Sequence, residues 1–367
     1  MKWTINGRFA VKPIVGVTRY AREVVLGLDQ LVGATGLDRS GLQLEIVFPS
    51  EPAIALQLEN IPARVVPGPP TYIWEQWNLP ASTKGPILSL CNVGPVRRRD
   101  QIVCIHGMNT AIAPGGYSLS FRLAYEPVRN LVARRAALIT TVSEFSKRQL
   151  NEFGVASEHK IHLAPCGSDH VNRWSPSQSS LNPADFRKPY VFCLVTRGGH
   201  KNVALLLDIA APLAKHGIDI VVAGGNRDLL SIAGTRGGLP SNIRYLGYVT
   251  DNDIAFLFSH ALCFAFPSTT EGFGIPPLEA FRFGCPVIAA EAGSLPEVLG
   301  REAAWLLPPT ESDIWAEAII QIAAHPELAH SRQGAAAKRA AEFTWVRTAE
   351  IYLELMRAMS NGKIVVS

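Results

Sequence analysis

Short apolar runs alternate with amphipathic stretches along almost the whole chain. In the first half the runs predict strands near 2–5, 44–48, 63–66, 87–91, 102–106, 138–142 and 161–164. Helical spacing predicts helices near 17–32, 119–135 and 144–153. Strands that alternate with helices in this way form crossover units and a mostly parallel sheet. The rhythm stops at "NRWSPSQSSLNPADFRKP", where Ser, Pro and Asn replace apolar periodicity and predict an interdomain linker. It restarts with "YVFCLVT", "IDIVVAGG", "IRYLGYV", "LCFAFPS", "PVIAA" and "AWLLP", separated by helical stretches. Beyond 311 the chain reads as helical to about Met359, longer than a second sheet needs. The expected organisation is α/β, with two Rossmann-like domains at 1–172 and 190–343 and a linker at 173–189. A last helix within 344–367 is expected to cross back to the first domain. Ligands of such sheets collect at the carboxyl ends of strands, so the expected active site is a central cleft that the two sheets face.

Composition bounds the class. The chain has 367 residues, 47% hydrophobic and 18% charged, which excludes a disordered protein and suits two cores. No run of eighteen apolar residues exists, and the start has no continuous apolar segment of the secretory kind. Six scattered cysteines without CxxC or Cys/His metal spacing read as buried thiols of a reduced compartment, so a cytoplasmic location is expected. The net charge of +4 is uneven: residues 1–172 carry 18 Lys/Arg against 13 Asp/Glu. The clusters are Arg97-Arg98-Arg99, Arg134-Arg135 and Lys147-Arg148. A solvated helix face explains such clusters, and an anionic acceptor or peripheral contact with an anionic membrane is the sharper reading. No nucleic-acid motif accompanies them.

The densest chemistry lies in "EGFGIPPLEAFRFG", which follows the apolar run "ALCFAFPS". Gly272 and Gly274 let backbone amides approach a ligand, and Pro276-Pro277 suits the entry of a helix. A helix start there favours a phosphate. Glu279, read as lying in the first helical turn, is placed to accept from a sugar hydroxyl pair, a device found at ribose sites. The bland alternative is an acid near a helix start for dipole reasons alone. "DND" at 251–253 has the spacing of a metal-binding Asp-x-Asp, but it follows "YLGYVT" where a helix begins, so capping explains it and no metal is expected. "SLPE" at 294–297 fits a capping box.

"FPSTTEGFGIPPLEAFRFGCPVIAAEAGSLPEVLG" resembles the signature of retaining, nucleotide-sugar-dependent glycosyltransferases of the GT-B fold, family 4. Their hallmark, two glutamates separated by seven residues, is matched by Glu271 and Glu279. "GVTRYAREV", "WEQWNLP", "TVSEFSKRQL", "HKN", "YLGYVTDNDIAFLFSHA" and "FTW" resemble further family segments in the expected order. The resemblance implies that Lys201 and Arg197, in "VTRGGHKN", hold the donor diphosphate, and that Glu271 supports the donor sugar near its 3- and 4-hydroxyls. Arg197 stands closer to the lysine than the family's usual basic residue. His106 is implied as the cleft histidine that contacts the sugar, although Gly107 stands where relatives often carry Asp. Gly16, Gly272, Phe273, Gly274, Ile275, Glu279 and the amides of Ser294 and Leu295 are implied as donor contacts, with Arg19 and Tyr20 on the acceptor side. An ordinary amphipathic helix explains Tyr20 equally well.

The function implied is transfer of a hexose from a sugar nucleotide to a polysaccharide or lipid-linked oligosaccharide, with retention and without metal or cofactor. "GVTRYARE" and "TVSEFS" resemble mannosyl- and rhamnosyltransferases of polysaccharide assembly, which makes GDP-mannose the first donor to test. A GT-B-type epimerase or phosphorylase, and a sugar-nucleotide-binding subunit without turnover, are the competing readings.

Overall fold

The computed structural model describes residues 1–35, 41–195, 199–225 and 238–362. Its contacts divide the chain into two compact units. The first holds Met1–Met108, Leu119–Gly167 and the C-terminal segment from Thr344; the second holds Asn109–Ser118 and Ser168–Phe343. This division differs from the boundaries expected at 172, 190 and 344 in two places. The loop Asn109–Ser118 joins the second unit, and so does the stretch 168–189, which takes in the last five residues of the expected first domain and the expected linker 173–189. The reason for the latter is local. Pro176–Gln178 and Pro183–Phe186 form short 3-10 turns, and the serines between them bond the helix Asp251–His260. Ser175 N–H donates to Asn252 Oδ1 at 2.8 Å, while the Ser179 hydroxyl and the Ser180 N–H each donate to Asp253 Oδ1 at 2.7 Å.

In the first unit seven strands are all parallel: β1 (Lys2–Asn6), β2 (Gln43–Phe48), β3 (Ala63–Val65), β4 (Ile87–Ser89), β5 (Gln101–Cys104), β6 (Leu138–Thr141) and β7 (Ile161–Leu163). Their order is β3-β2-β1-β4-β5-β6-β7. The second unit has β8 (Tyr190–Leu194), β9 (Asp219–Ala223), β10 (Ile243–Gly247), β11 (Cys263–Phe266), β12 (Val287–Ala290) and β13 (Trp305–Leu307), again parallel, in the order β10-β9-β8-β11-β12-β13. Near-continuous apolar strands such as "YVFCL" and "CFAF" suit sheets buried on both faces, and β1, β4, β5, β11 and β12 are buried almost throughout. Each order reverses direction once, between β1 and β4 and between β8 and β11, and the carboxyl edge at such a reversal is where an open parallel sheet receives its ligand.

The helical tail comprises Ser312–Ala324, Pro326–Ala341 and Trp345–Ser360. The last of these belongs to the first unit, where Trp345, Tyr352, Leu353 and Met356 are buried. It approaches the helix Gly16–Thr35 at Gly27, where an added Cβ would lie 3.0 Å from Ala349 Cβ and from the Trp345 carbonyl.

Asp251 and Asp253 sit at a helix start, with Thr250 as N-cap and a reciprocal capping box to Asp253. Burial by itself would raise the Asp253 carboxyl, but the N–H of Thr250, the Ser179 and Thr250 hydroxyls and the Ser180 N–H outweigh it and hold the group at about 2. Its folded value is below its unfolded one, so the stabilisation is present above about pH 4 and is lost as pH falls through the folded value. Asp253→Asn is expected to lower stability at neutral pH by about 2 kcal/mol. In urea unfolding the gap from the parent chain should close as the pH is taken down from 4; an unchanged midpoint at pH 7 would refute this role.

Candidate active site

The second unit's site grows from both sides of its strand reversal. From β8 the chain reaches the 3-10 turn Gly199–Lys201; from β11 it reaches Ser268, Thr270 and Glu271. Lys201 Nζ donates to Glu271 Oε1 at 2.5 Å, and both side chains are 12% exposed. The ammonium also lies 5.0 Å from the centroid of the Phe266 ring, the last residue of β11. A basic and an acidic side chain 70 positions apart thus meet where the sheet opens. Arg197 lies outside the described residues.

The loop after Glu271 is fixed by glycines and one serine. Gly274 caps the helix Ile275–Arg282 with φ +93°, and a Cβ there would strike Leu295 Cδ2 at 2.6 Å. Gly293, with φ +61°, passes so close that an added Cβ would lie 2.8 Å from the Glu271 nitrogen. Ser294 is fully buried, and its hydroxyl donates to the carbonyls of Glu271 and Phe273 at 3.1 and 3.0 Å. Phe273 packs edge-on against Phe343, with centroids 5.4 Å apart.

Three expectations change here. The Ser294 and Leu295 amides already donate, to the Glu271 and Ala292 carbonyls, so they staple the loop rather than line a pocket. Ser294 makes no side-chain cap, because its hydroxyl is held by the loop carbonyls; the capping-box reading of "SLPE" is therefore corrected. Glu279 is the fifth residue of its helix, past the first turn, because Ile275 and the two prolines precede Leu278. Pro276 and Pro277 also carry no N–H, so an anion at this edge would be met chiefly by the amides of Gly272–Ile275.

Glu279 has a partner that the sequence did not disclose. His170, fully buried in a 3-10 turn Asp169–Arg173, places Nε2 at 2.8 Å from Glu279 Oε1. This fixes the carboxylate's orientation through Oε1. The sequence held no signal for the pairing, since a lone histidine in "GSDHVN" has many explanations. Two further groups were missed. His200 Nδ1 and Thr270 Oγ1 are buried beside the Lys201–Glu271 pair without a hydrogen-bond partner. Burial, more than the neighbouring charges, pushes the His200 imidazole down, which favours its neutral form. The loop residues Pro114–Gly116 pack on Gly199–Lys201, and Tyr117 follows them. Burial first, and the Glu271 charge second, push the Tyr117 phenol up.

The other expected residues lie in the first unit. His106 follows β5 and is half-buried; its Nε2 donates to the Leu90 carbonyl at 2.8 Å and its ring meets Tyr20 edge-on at 4.7 Å. Burial opposes its charge, but the Cys104 thiol and the Leu90 carbonyl outweigh this and raise it. Gly107 has φ +144°, a conformation that an aspartate would adopt only with strain. Tyr20 is fully buried, with its hydroxyl donating to the Ala164 carbonyl at 2.9 Å, so the acceptor-side reading gives way to a core role. Gly16 opens its helix with nothing within 4 Å of an added Cβ, and Arg19 is half-buried in the next turn.

Residues 180–339 match the family model described as Glycosyl transferases group 1. The chain superposes on sucrose-phosphate synthase from Thermosynechococcus elongatus with a TM-score of 0.72 at 16% identity, covering 98% of this chain and 99% of that one. The fold is GT-B. This GT-B chain also resembles Anabaena HepE in complex with UDP and glucose, with a TM-score of 0.67, 20% identity, and coverage of 98% and 100%. In sequence it is 32% identical over 224 residues to the O-antigen chain mannosyltransferase B of Escherichia coli. That match spans 57% of this chain and 58% of the relative's length.

Proposed function

We propose that the chain is a retaining glycosyltransferase that moves a hexose from a sugar nucleotide to a polysaccharide or lipid-linked oligosaccharide acceptor, without a metal. GDP-mannose is the donor to test first, a choice supported by the mannosyltransferase among its relatives. The observation that carries the reading is the convergence of Lys201, Glu271 and the glycine-rich helix start on one strand reversal. In the reaction, the bond between the anomeric carbon and the donor phosphate oxygen breaks while an acceptor hydroxyl bonds the same face of that carbon. The hydroxyl proton passes to the departing phosphate oxygen. Lys201 and the Gly272–Ile275 amides would hold the charge that develops on the diphosphate. Glu271 would hold the sugar hydroxyls, and Glu279, steadied by His170, the ribose. An epimerase or a phosphorylase has no specific observation in its favour.

A cytoplasmic location at the inner face of an anionic membrane is part of the proposal. Among the described residues no helix is long and apolar enough to cross a membrane. The helix Leu119–Arg135 exposes Leu119, Phe121, Leu123 and Leu131 alongside Arg134 and Arg135, which suits peripheral contact. The Arg97–Arg99 cluster supports it less than its charge suggested. Arg98 bonds Asp100 and the carbonyls of Thr83 and Gly85, and Arg97 lies over the Trp77 ring.

Melting temperatures measured with GDP, UDP, ADP and dTDP test the donor site. One nucleoside diphosphate should raise the melting temperature in a concentration-dependent way, by linkage, and Lys201→Ala should abolish that rise. No rise with any of the four would refute the reading.

A further inference from the structure

The first unit has a strand reversal of its own, and polar side chains from three segments gather at its carboxyl edge. Asn6 ends β1, and its Nδ2 donates to Glu75 Oε1 at 2.8 Å and to the hydroxyl of Ser89, which ends β4, at 3.3 Å. Glu75 comes from the short helix Tyr72–Gln76. Arg8 Nε lies 2.9 Å from the same Glu75 oxygen, and the two residues are 4% and 1% exposed. The guanidinium stands over the Tyr72 ring, 4.6 Å from its centroid, and Lys12 Nζ lies 5.8 Å from that centroid. Two cations therefore share one aromatic ring, and one of them, Arg8, is paired with the carboxylate.

This is more than a structural ion pair needs. Glu75 Oε2 is buried without a hydrogen-bond partner, so the pair leaves one acceptor open to a donor such as a sugar hydroxyl. Lys12 adds a second positive charge that nothing in the pair requires, and partial desolvation of its ammonium, with the Arg8 charge behind it, pushes the group down. An oxyanion set against both cations would relieve their repulsion and take up the guanidinium's fork geometry. Tyr72 is 38% exposed, and the ring surface that Arg8 leaves uncovered suits the apolar side of a sugar ring.

We infer that this cluster is an oxyanion seat for the acceptor, in which Arg8 and Lys12 take a phosphate or carboxylate group, Glu75 holds Arg8 in place, and Tyr72 backs the adjoining sugar. The assignment to an acceptor rests on the glycosyl-transfer reading; the seat itself is measured without transfer.

Calorimetric titration of the full chain at low salt, with inorganic pyrophosphate and separately with glucuronate, tests it in a Lys201→Ala background that weakens the second unit's anion site. At least one anion is expected to bind, and adding Lys12→Ala, a change at an exposed residue, should weaken it at least fivefold with an unchanged circular dichroism spectrum. Tyr72→Ala should weaken glucuronate at least as much as pyrophosphate. Binding of pyrophosphate alone assigns a phosphate-bearing acceptor, and binding of glucuronate alone a uronic acid. No binding of either anion to the Lys201→Ala chain, or unchanged binding after Lys12→Ala, would overturn the inference. Failure of every nucleotide to stabilise the chain, with the seat intact, would overturn only its assignment to an acceptor.

Discussion

Sugar transfer by a Lys201→Ala variant is expected to fall by about 100-fold to 1,000-fold or more, with the fold retained. Departure of the nucleoside diphosphate concentrates negative charge on phosphate oxygens as the anomeric bond breaks. A cation fixed in advance in a poorly solvated place stabilises that charge with little reorganisation. Lys201 meets these conditions, since its side chain is 12% exposed and held between Glu271 and the Phe266 ring. The alanine variant also leaves Glu271 without its cation, so the loss would include disorder in the sugar support proposed for that carboxylate. Initial rates of product formation, with circular dichroism as the folding control, measure the effect. Wild-type rates in this variant would mean that the site assignment is wrong.

The largest stability effect is expected from Tyr352→Ala, at about 3–5 kcal/mol. Tyr352 is fully buried, and its hydroxyl lies 2.9 Å from that of Tyr20 and 2.7 Å from that of Thr140. Truncation opens a ring-sized cavity in a close-packed core and removes a hydrogen-bond partner from two buried hydroxyls. Tyr352→Phe keeps the ring and is expected to cost only about 1 kcal/mol. Burial drives the Tyr20 and Tyr352 phenols far up, so neither effect should depend on pH between 5 and 8. Urea unfolding followed by tryptophan fluorescence compares the variants. An alanine midpoint equal to that of the parent chain would exclude this role for the last helix.

Much of the fold was legible in the order of apolar runs. All seven runs of the first half and all six of the second became parallel strands; central ones such as β4 and β11 are buried on both faces, which leaves a run too short and too apolar to mistake. Helices with strong amphipathic spacing, such as Gly16–Thr35 and Glu144–Glu152, were equally plain. The short helix Tyr72–Gln76 was not, since five residues show no periodicity. The linker was legible as a composition and misread as a separate segment, because its serines act through bonds to Asp253, 73 and 74 positions away.

The candidate site divides the same way. Local signals named Glu271, Gly272, Gly274 and Glu279, whose chemistry depends on neighbours in sequence. His170 beside Glu279, Gly293 beneath the Glu271 backbone, and Arg8 against Glu75 depend on approaches across 109, 22 and 67 positions. Tyr20 shows the converse, a residue with a motif's position but a core residue's surroundings. The sequence by itself determined the strands, the turns that need glycine and the helix that starts on proline, because each follows from local sterics and periodicity. Only the tertiary structure decided which oxygen of Glu279 is engaged by His170, which amides are already engaged, and which cation pairs with Glu75. Those outcomes depend on distances of a few ångströms between segments that the chain order leaves far apart.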